Sequence, residues 1–546
     1  MSKQKSKMTQ QEKMVQGTAW LTFGNFLSRL LGAIYIIPWY AWMAPHAAEA
    51  NALFGMGYEI YALFLLVSTV GIPVAVAKQV AKYNTLDKPE MSFYLIRKVF
   101  MFMLLLGSFF AVIMFFGSPV LAGLSGGGKD LIPVMQSLTL AVLVFPAMSV
   151  LRGFFQGFNN LKPYAISQIA EQVIRVIWML LTAFYIMKMG SGDYVAAVTQ
   201  STFAAFIGMF ASLSVLVYFL WKENMLHQVF LKAPKSIDLD TKSILMETIK
   251  EAIPFVITGS AIQVFRLIDQ MTFINSMGWF TDYSNRELRI MFAYFSSNPG
   301  KLTMILIAVA TAIAGTGIPL LTENIVKNDK KAAAKLVINN TQMLFLFLLP
   351  AIFGSVVLAV PLYTVFYGVP DVLALHLFIV SLLQTVFLGL YTVSSPMLQA
   401  LFENRKAVLY FLYGVIAKLI LQIPFIFVFH SYGPLLSTMI ALIIPIVFIY
   451  KRIHEITNFN RSLLVKSSTL MIIMTIVMVV AVIVVNGILG LIALPQNRLL
   501  SVIYLILVGG VGIIVYGGLS LWSGALDLLL GEKAVALRKK LGWQKE

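Results

Sequence analysis

Five basic residues lie within or at the edges of long apolar stretches, where a permanent charge is unexpected. They are Arg29, Arg175, Arg266, Lys301 and Lys418. Three acids lie in similar surroundings, namely Glu59, Glu171 and Asp269. A cation at the centre of a membrane helix costs about 2.5 to 3.5 kcal/mol on insertion scales. These side chains are therefore expected to face protein or water rather than lipid.

The excess of cations over acids predicts a binding site for an anion. A cationic cavity inside a membrane attracts negative charge. Guanidinium groups suit phosphate in particular, because their planar fork donates two parallel hydrogen bonds to its oxygens. We therefore expect the five cations to bind a phosphate-bearing substrate.

Pairing between opposite charges offers a structural alternative for the same residues. Glu171 and Arg175 are four residues apart in "EQVIR", and the members of "RLID" at 266 and 269 are three apart, so each pair can meet on one helix face. Glu59 is the candidate partner of Arg29 on another helix. Lys301 could instead extend to the outer interface. Both interpretations stay open at this point.

The elements that position these residues are membrane helices. Hydrophobic residues make up 59% of the 546 residues and charged residues 12%, whereas a soluble protein has about 25% charged residues. Apolar stretches of 18 or more residues recur and do not alternate with polar residues, which excludes a strand-built barrel. We predict fourteen spans, at about 16–43, 52–77, 93–116, 131–151, 164–187, 194–221, 249–275, 301–322, 336–360, 372–396, 407–430, 432–450, 468–493 and 500–523.

An internal repeat predicts two similar halves. "GIPVAVAKQVAKYN" at 71 returns as "GIPLLTENIVKND" at 317, and "FQGFNNLKPYAISQIAEQVIRV" at 155 matches "LQALFENRKAVLYFLYGVIAKL" at 398. "SRLL" at 28 matches "FRLI" at 265. Six helices separate the copies, so the halves share one orientation. The alignment places Arg29 over Arg266 and Arg175 over Lys418, as expected for one central cavity lined from both halves.

The predicted fold is thus an all-α polytopic membrane protein with two six-helix lobes in a pseudo-twofold, parallel-repeat arrangement around that cavity, plus two C-terminal helices. The predicted divisions are an N-terminal tail (1–15), an N-lobe (16–221), a linker (222–248), a C-lobe (249–452), the two extra helices (453–530) and a C-terminal tail (531–546). The tails and the even-numbered connections, with Arg152 among them, hold 31 Lys and Arg, and the odd-numbered connections hold 5. This bias predicts that both termini are cytoplasmic.

Several functions are not expected from the sequence. The net charge of +17 is spread over short segments next to membrane ends, which indicates topology and contact with anionic headgroups rather than nucleic acid. The chain has no cysteine, no histidines at metal-ligand spacing and no phosphate-binding loop of a nucleotide-driven pump. The outer acids Asp282 and Glu287 lie beside arginines in what looks like a solvated amphipathic segment, so an enzyme is not expected.

Glycine and proline residues near the ends of spans predict breaks in the helices. Pro73, Pro254 and Pro319 lie within or at the ends of apolar stretches. Gly71, Gly315 and Gly317 stand beside two of them. Kinks at such points would allow the lobes to bend.

Five stretches together resemble a known family. "SRLLGAIYIIP", "TVGIPVAVAKQVAKYN", "ISQIAEQVIRVIWMLL", "RLIDQMTF" and "LQALFENRKAVLYFLYGVIAKLIL" are similar to segments of the polysaccharide-export branch of the multidrug/oligosaccharidyl-lipid/polysaccharide exporter superfamily. Within it they resemble most the MurJ-type lipid II flippases of Gram-positive bacteria, the YtgP and SpoVB-like proteins. The resemblance covers nearly the whole chain.

The resemblance implies a multi-pass protein of the bacterial plasma membrane that moves undecaprenyl-pyrophosphate-linked peptidoglycan precursor from the inner to the outer leaflet by alternating access. It implies a cationic cavity for the headgroup and a lipid-tail groove formed with the two extra helices. Arg29 matches the arginine of the family's "SR[VL]LG" motif, and Lys301 lies one residue from a cavity arginine of Gram-negative members. The further charges that follow that motif in Gram-negative members are absent here, where Tyr35 and Ile36 stand.

The resemblance leaves the energy source and the glycan open. Asp269 matches an acid that takes part in sodium binding in some relatives. We therefore expect sodium or the membrane potential to drive transport. No other cofactor and no firm metal site are expected. The expected partners are the lipid-linked glycan, membrane lipids and the cell-wall synthesis machinery. The alternatives are a flippase for teichoic-acid or capsular repeat units, a cation-drug antiporter and a non-transporting partner in cell-wall assembly.

Overall fold

The protein is helical throughout the part of the chain that the structure describes. The computed structural model describes residues 30–69, 71–158, 160–230, 256–492 and 495–543, together with 24, 27, 28, 250, 253 and 254. Eleven helices in these ranges are long and apolar enough to cross a membrane, and one of them, Asn404–Thr457, covers two predicted spans. The predicted class, an all-helical polytopic membrane protein, is confirmed.

The chain forms two compact units, Met1–Val256 and Ile257–Glu546. The boundary lies eight residues after the end of the predicted linker at 248, and the limits of the predicted lobes stay a prediction. The helices of the first unit are α1 (Leu30–Trp42), α2 (Ala47–Thr69), α3 (Ile72–Thr85), α4 (Pro89–Leu124), α5 (Gly128–Gly157), α6 (Leu161–Phe184, extended by a π-helical turn at Tyr185–Met189), α7 (Tyr194–Lys222) and the short α8 (Leu226–Phe230).

The second unit has twelve described helices. They are α9 (Ala261–Phe280), α10 (Asn285–Phe292), α11 (Asn298–Val326), α12 (Lys330–Val357), α13 (Ala359–Tyr367), α14 (Val372–Ala400), α15 (Asn404–Phe429), α16 (Gly433–Thr457), α17 (Arg461–Ile492), α18 (Arg498–Trp522), α19 (Asp527–Leu530) and α20 (Glu532–Lys540). A π-helical turn at Ala293–Ser297 joins α10 to α11 without a break.

Apolar side chains lie on the outside of the helices as well as between them. In α4, Leu105 is 71% exposed and Phe116 is 75% exposed. α5 packs against α2, α3, α4 and α7, and its apolar residues are mostly buried. An exposed apolar helix face is stable in hydrocarbon and not in water, so the outer surface fits lipid as its solvent.

The repeated "GIP" motif has different local structures in the two units. Gly71 has a φ of 73°, in the left-handed region, and separates α2 from α3, with Pro73 in the first turn of α3. In the second unit α11 runs unbroken through Gly317 and Pro319. The predicted break is therefore confirmed at Gly71 and wrong at Pro319, where α11 continues. α12 packs closely on α11 beside this point, since a Cβ on Gly317 would lie 2.2 Å from Nδ2 of Asn340.

The two C-terminal membrane helices pack against α12. Met474 and Met478 of α17 and Tyr504 and Val508 of α18 form a buried apolar cluster with residues of α12. The predicted appendage of two further helices is thus an integral part of the second unit.

Candidate functional site: charged residues of the membrane helices

The first predicted cation lies outside the described residues. Arg29 is not among the described residues of the first predicted span, so its predicted pairing with Glu59 stays a prediction. Glu59 itself lies on α2 and is half-buried.

In the first unit, Glu171 of α6 pairs with a residue that the sequence analysis assigned to a connection. Nη2 of Arg152 donates a hydrogen bond of 2.7 Å to Oε2 of Glu171 and another of 2.9 Å to Oγ of Ser212. Nε of Arg152 donates to Oγ of Ser167 at 3.1 Å. Arg152 lies in α5, which continues to Gly157, rather than in the connection after a span ending at 151. The continuing apolar residues in "VLRGFFQG" were the signal that places it inside the helix.

A close approach of two helices positions this network. A Cβ on Gly208 of α7 would lie 2.6 Å from the carbonyl oxygen of Glu171. Only glycine permits this contact, and small residues are the usual means by which membrane helices approach each other. The contact lets Ser212, one turn later on α7, reach Arg152.

Among the described residues, Glu171 hydrogen-bonds to Arg152 and not to Arg175, which lies one turn later on α6. Its guanidinium carbon lies 5.7 Å from the centre of the Tyr58 ring, a cation–π contact. Among the described residues, no atom accepts a hydrogen bond from the buried Nε of Arg175. The direct contacts of Glu171 and Arg175 are thus with different residues, although the charge of Glu171 still acts on Arg175.

In the second unit, Lys418 of α15 is fully buried and pairs with Asp269 of α9. Nζ of Lys418 lies 2.5 Å from Oδ1 of Asp269. Nε2 of Gln422 donates to the same Oδ1 at 3.0 Å. Asp269 therefore forms an ion pair across helices with Lys418, and the charge of Arg266, three residues before it on α9, also acts on its carboxylate.

Arg266 and Asp269 line a small cavity inside the second unit, of about 30 Å³. Ser296 and Thr303 contribute hydroxyl groups to its wall. Gly300 lies against the guanidinium, and a Cβ at this position would be 3.7 Å from Nη1 of Arg266, an ordinary van der Waals distance. The space suffices for a few water molecules or a small group. The cavity is polar and holds a guanidinium, so it can accept an anionic or hydroxyl-bearing group.

Lys301 lies within a continuous helix rather than at the start of one. The helix containing it begins at Asn285, so the predicted start of the eighth span at 301 is wrong by about four turns. Lys301 is half-buried. Lys301 directly follows Gly300 and lies two residues before Thr303, and both of these residues line the Arg266 cavity.

A second, larger cavity in this unit is apolar. It has a volume of about 460 Å³ and lies between α12, α17 and α18. Phe347, Met478, Ile513 and Tyr516 are among its lining residues. A cavity of this size and composition suits a hydrocarbon chain.

The described residues hold no group of three or more His, Cys, Asp or Glu side chains that could bind a metal ion. The recorded partners of Asp269 are donors, namely Nζ of Lys418 and Nε2 of Gln422.

Comparison with known proteins assigns the chain to a family. Residues 14–325 match the family of polysaccharide biosynthesis proteins. The chain is 32% identical to the lipid II flippase MurJ of Bacillus subtilis over 544 residues, which cover 97% of this chain and 98% of the relative. The chain belongs to the MurJ-type lipid II flippase family. It is also 26% identical to the stage V sporulation protein B of the same organism, over 41% of this chain and 43% of that one.

Solved structures share the MurJ-type fold. A lipid II flippase MurJ in an inward closed conformation aligns with a TM-score of 0.63 over 92% of this chain and 97% of that chain, at 14% identity. An inward-facing multidrug resistance MATE family transporter of the MOP superfamily aligns with a TM-score of 0.59 over 79% of this chain and 96% of that one, at 16% identity. At these identities the likeness concerns the fold.

Proposed function

We propose that this protein is a flippase that moves lipid-linked peptidoglycan precursor, lipid II, from the inner to the outer leaflet of the bacterial plasma membrane by alternating access. The observation that carries the proposal is the 32% identity to a lipid II flippase over nearly the full length of both chains. The protein acts as a transporter and not as a catalyst.

The charges of the membrane helices support an anionic headgroup as cargo. Arg175 and Arg266 supply guanidinium groups in the two units, and Lys301 adds an ammonium on α11. A diphosphate crosses hydrocarbon poorly alone, whereas charge-assisted hydrogen bonds to guanidinium lower that cost. We infer that these three residues and Arg29 contact the diphosphate during transport. Lys418 serves Asp269 in the described state and contributes to substrate binding only indirectly.

The apolar cavity between α12, α17 and α18 supports a place for the lipid tail. Its wall carries almost no polar groups, so a prenyl chain there stays in surroundings as apolar as the bilayer. We propose that the headgroup moves past the basic residues named above while the lipid tail remains in this apolar cavity.

A leaflet-exchange assay with purified protein in liposomes tests the proposal. A lipid II analogue carries a fluorophore on its peptide, and a membrane-impermeant reductant added outside bleaches the copies in the outer leaflet. We expect the parental protein to raise the bleached fraction above the value of about one half that protein-free liposomes give.

The matched variants are Arg266→Ala and, as control, Lys466→Ala at an exposed position of α17. Loss of one charge-assisted contact of about 1.5 to 3 kcal/mol slows exchange about tenfold or more in Arg266→Ala. Lys466→Ala exchanges at the parental rate. Parental exchange in a folded Arg266→Ala protein would remove that residue from the site, and no exchange of lipid II by any form would contradict the function.

Teichoic-acid or capsular repeat units on the same carrier are the competing cargo. The description of the matched family, polysaccharide biosynthesis protein, is wide enough to include them. Unlabelled competitor lipids decide between the two. Lipid II slows exchange of the labelled analogue, and a carrier-linked teichoic-acid precursor at equal concentration leaves it unchanged; the reverse ranking assigns the other cargo.

A further inference from the structure

The ammonium group of Lys418 lies in a shell made only of oxygen atoms. Besides Oδ1 of Asp269 at 2.5 Å, Nζ lies 2.8 Å from the carbonyl oxygen of Pro434. The hydroxyl oxygens of Ser437 and Thr438 lie at 2.8 and 2.6 Å. An ammonium has three protons, so this shell offers more acceptors than the group has donors.

A carboxylate, a carbonyl and two hydroxyls form a donor set that suits a hard monovalent cation. Hydrogen bonds to residues beyond the shell hold one of its oxygens in place. Oγ of Ser437 lies 2.7 Å from Oε1 of Gln422, and Nε2 of Gln422 donates to Oγ1 of Thr272 at 2.9 Å. This oxygen is thus held in place by a neighbour and not by the ammonium alone. The Lys418 side chain is 0% exposed, so its ammonium is fully enclosed by the protein.

Some relatives are expected to bind sodium near the acid that matches Asp269, and the residues present here do not fit that ion. The position that a sodium ion would take beside Oδ1 is filled by Nζ. A second positive charge next to the ammonium would be repelled, and the single carboxylate already balances one charge.

We propose that Lys418 is a tethered cation that occupies an alkali-metal site beside Asp269. The parental protein therefore binds no sodium there, and removing the ammonium opens the site to the ion. This inference does not depend on which lipid is transported.

The internal repeat supports a specific use of this pair in the second unit. The alignment that places Arg29 over Arg266 places Gly32 over Asp269, so the first unit has no carboxylate at the corresponding position. Arg175, which corresponds to Lys418, has a tyrosine ring beside it in place of an oxygen shell. Arg152 of the first unit also has a carboxylate and two hydroxyls around it, but it does not correspond to Lys418 in the repeat.

Thermal unfolding of the purified full-length protein in NaCl, KCl or choline chloride at equal ionic strength tests the proposal, with sodium ion alone as the probe. The parental protein is expected to unfold at one temperature in all three salts. Lys418→Ala is expected to unfold at a temperature that rises with NaCl by about 2 °C or more and saturates, because the ion binds only the folded state. Asp269→Asn combined with Lys418→Met is the control, and its unfolding temperature shows no such rise.

A saturable sodium-dependent rise in the parental protein, lost in Asp269→Asn, would overturn the proposal, since it would show that the ion binds beside the ammonium. A folded Lys418→Ala protein that binds no radioactive sodium would overturn it as well. Lys418→Gln is the second variant if Lys418→Ala is not recovered, and if neither is recovered the parental measurement decides.

Discussion

Arg152 and Glu171 form the ion pair that holds α5, α6 and α7 together in the first unit. Both side chains are nearly buried, at 10% and 15% exposure. Removing one partner of a buried pair leaves an uncompensated charge at a cost of about 3 to 5 kcal/mol. Removing both charges leaves no unpaired charge, so the double variant loses only the packing and hydrogen bonds of the two side chains.

We therefore expect Arg152→Met and Glu171→Gln each to lower the unfolding temperature more than the double variant does. Thermal unfolding in one detergent, followed by tryptophan fluorescence, gives the comparison. If the double variant were the least stable of the three, the two residues would be acting independently of each other.

Substitution of Arg175 tests whether transport needs the two parallel donors of the guanidinium or only its positive charge. Arg175→Lys keeps the charge and loses the two parallel donors, so lipid II exchange should fall about tenfold, the effect of about 1.4 kcal/mol. Tyr58→Phe keeps the ring under the cation and should exchange at nearly the parental rate. Equal rates for Arg175→Lys and the parental protein in the liposome assay would argue for a charge effect only.

The break between α2 and α3 depends on a left-handed backbone at Gly71. A side chain in that conformation costs about 1 to 2 kcal/mol. Gly71→Ala should therefore destabilise the protein, whereas Gly315→Ala should not, because Gly315 lies in α11 with open space at its Cβ position. The two unfolding temperatures give the measurement, and a Gly71→Ala protein as stable as Gly315→Ala would show that the break tolerates other conformations.

The connection before α15 contains an acid whose charge ties α15 to α16. Glu403 accepts hydrogen bonds from Nε of Arg452 at 3.0 Å and from Nη2 of the same residue. Partial burial raises the pKa of Glu403, but the hydrogen bonds and charges of Arg452 and Lys406 outweigh it and hold the pKa below its usual value of 4.5. In the first unit Asn160, at the equivalent place before α6, donates to Glu223 beyond the end of α7 at 2.8 Å.

A depressed pKa in the folded state means that the ionised Glu403 stabilises the protein above pH 4.5 and that this contribution disappears as the pH falls through the lower, folded-state pKa. Glu403→Gln should therefore be less stable than the parental protein by about 1 kcal/mol at neutral pH, and this difference should disappear as the pH falls from neutral through the folded-state pKa of Glu403. Unfolding midpoints of both proteins across this range make the measurement. A gap that stays constant with pH would mean that the charge of Glu403 has no part in it.

At the scale of the whole molecule, the charge bias predicts which connections face the cytoplasm. The natural chain has no cysteine, so a single introduced thiol reports its own side of the membrane. Lys88→Cys, between α3 and α4, should react with a membrane-impermeant maleimide only after permeabilisation of the cells. Ser191→Cys, between α6 and α7, should react on intact cells. The opposite labelling pattern would show that the orientation in the membrane is the reverse of the predicted one.

Continuously apolar stretches, the repeat and the family motifs suffice to identify the helical membrane class and the family from the sequence. The reason is that a helix crosses the hydrocarbon core only if it has about 20 consecutive apolar residues, so hydropathy alone largely predicts where the spans lie. Helix ends were less certain, as at Arg152 and Lys301, because charged residues near an interface look alike whether they lie in the helix or beyond it. Spacing along one helix also could not reveal the ion pairs between helices, since the partners in these pairs are far apart in sequence.

What the sequence by itself determined is that cations and acids lie within apolar helices, and which of them correspond in the two halves. Only the tertiary structure decided that Glu171 pairs with Arg152 and Asp269 with Lys418. The physical reason is that a buried charge in a membrane helix is stabilised by an opposite charge on a neighbouring helix, provided that packing brings the two groups within 3 Å. Helix packing is set by contacts between residues far apart in sequence, such as Gly208 against Glu171.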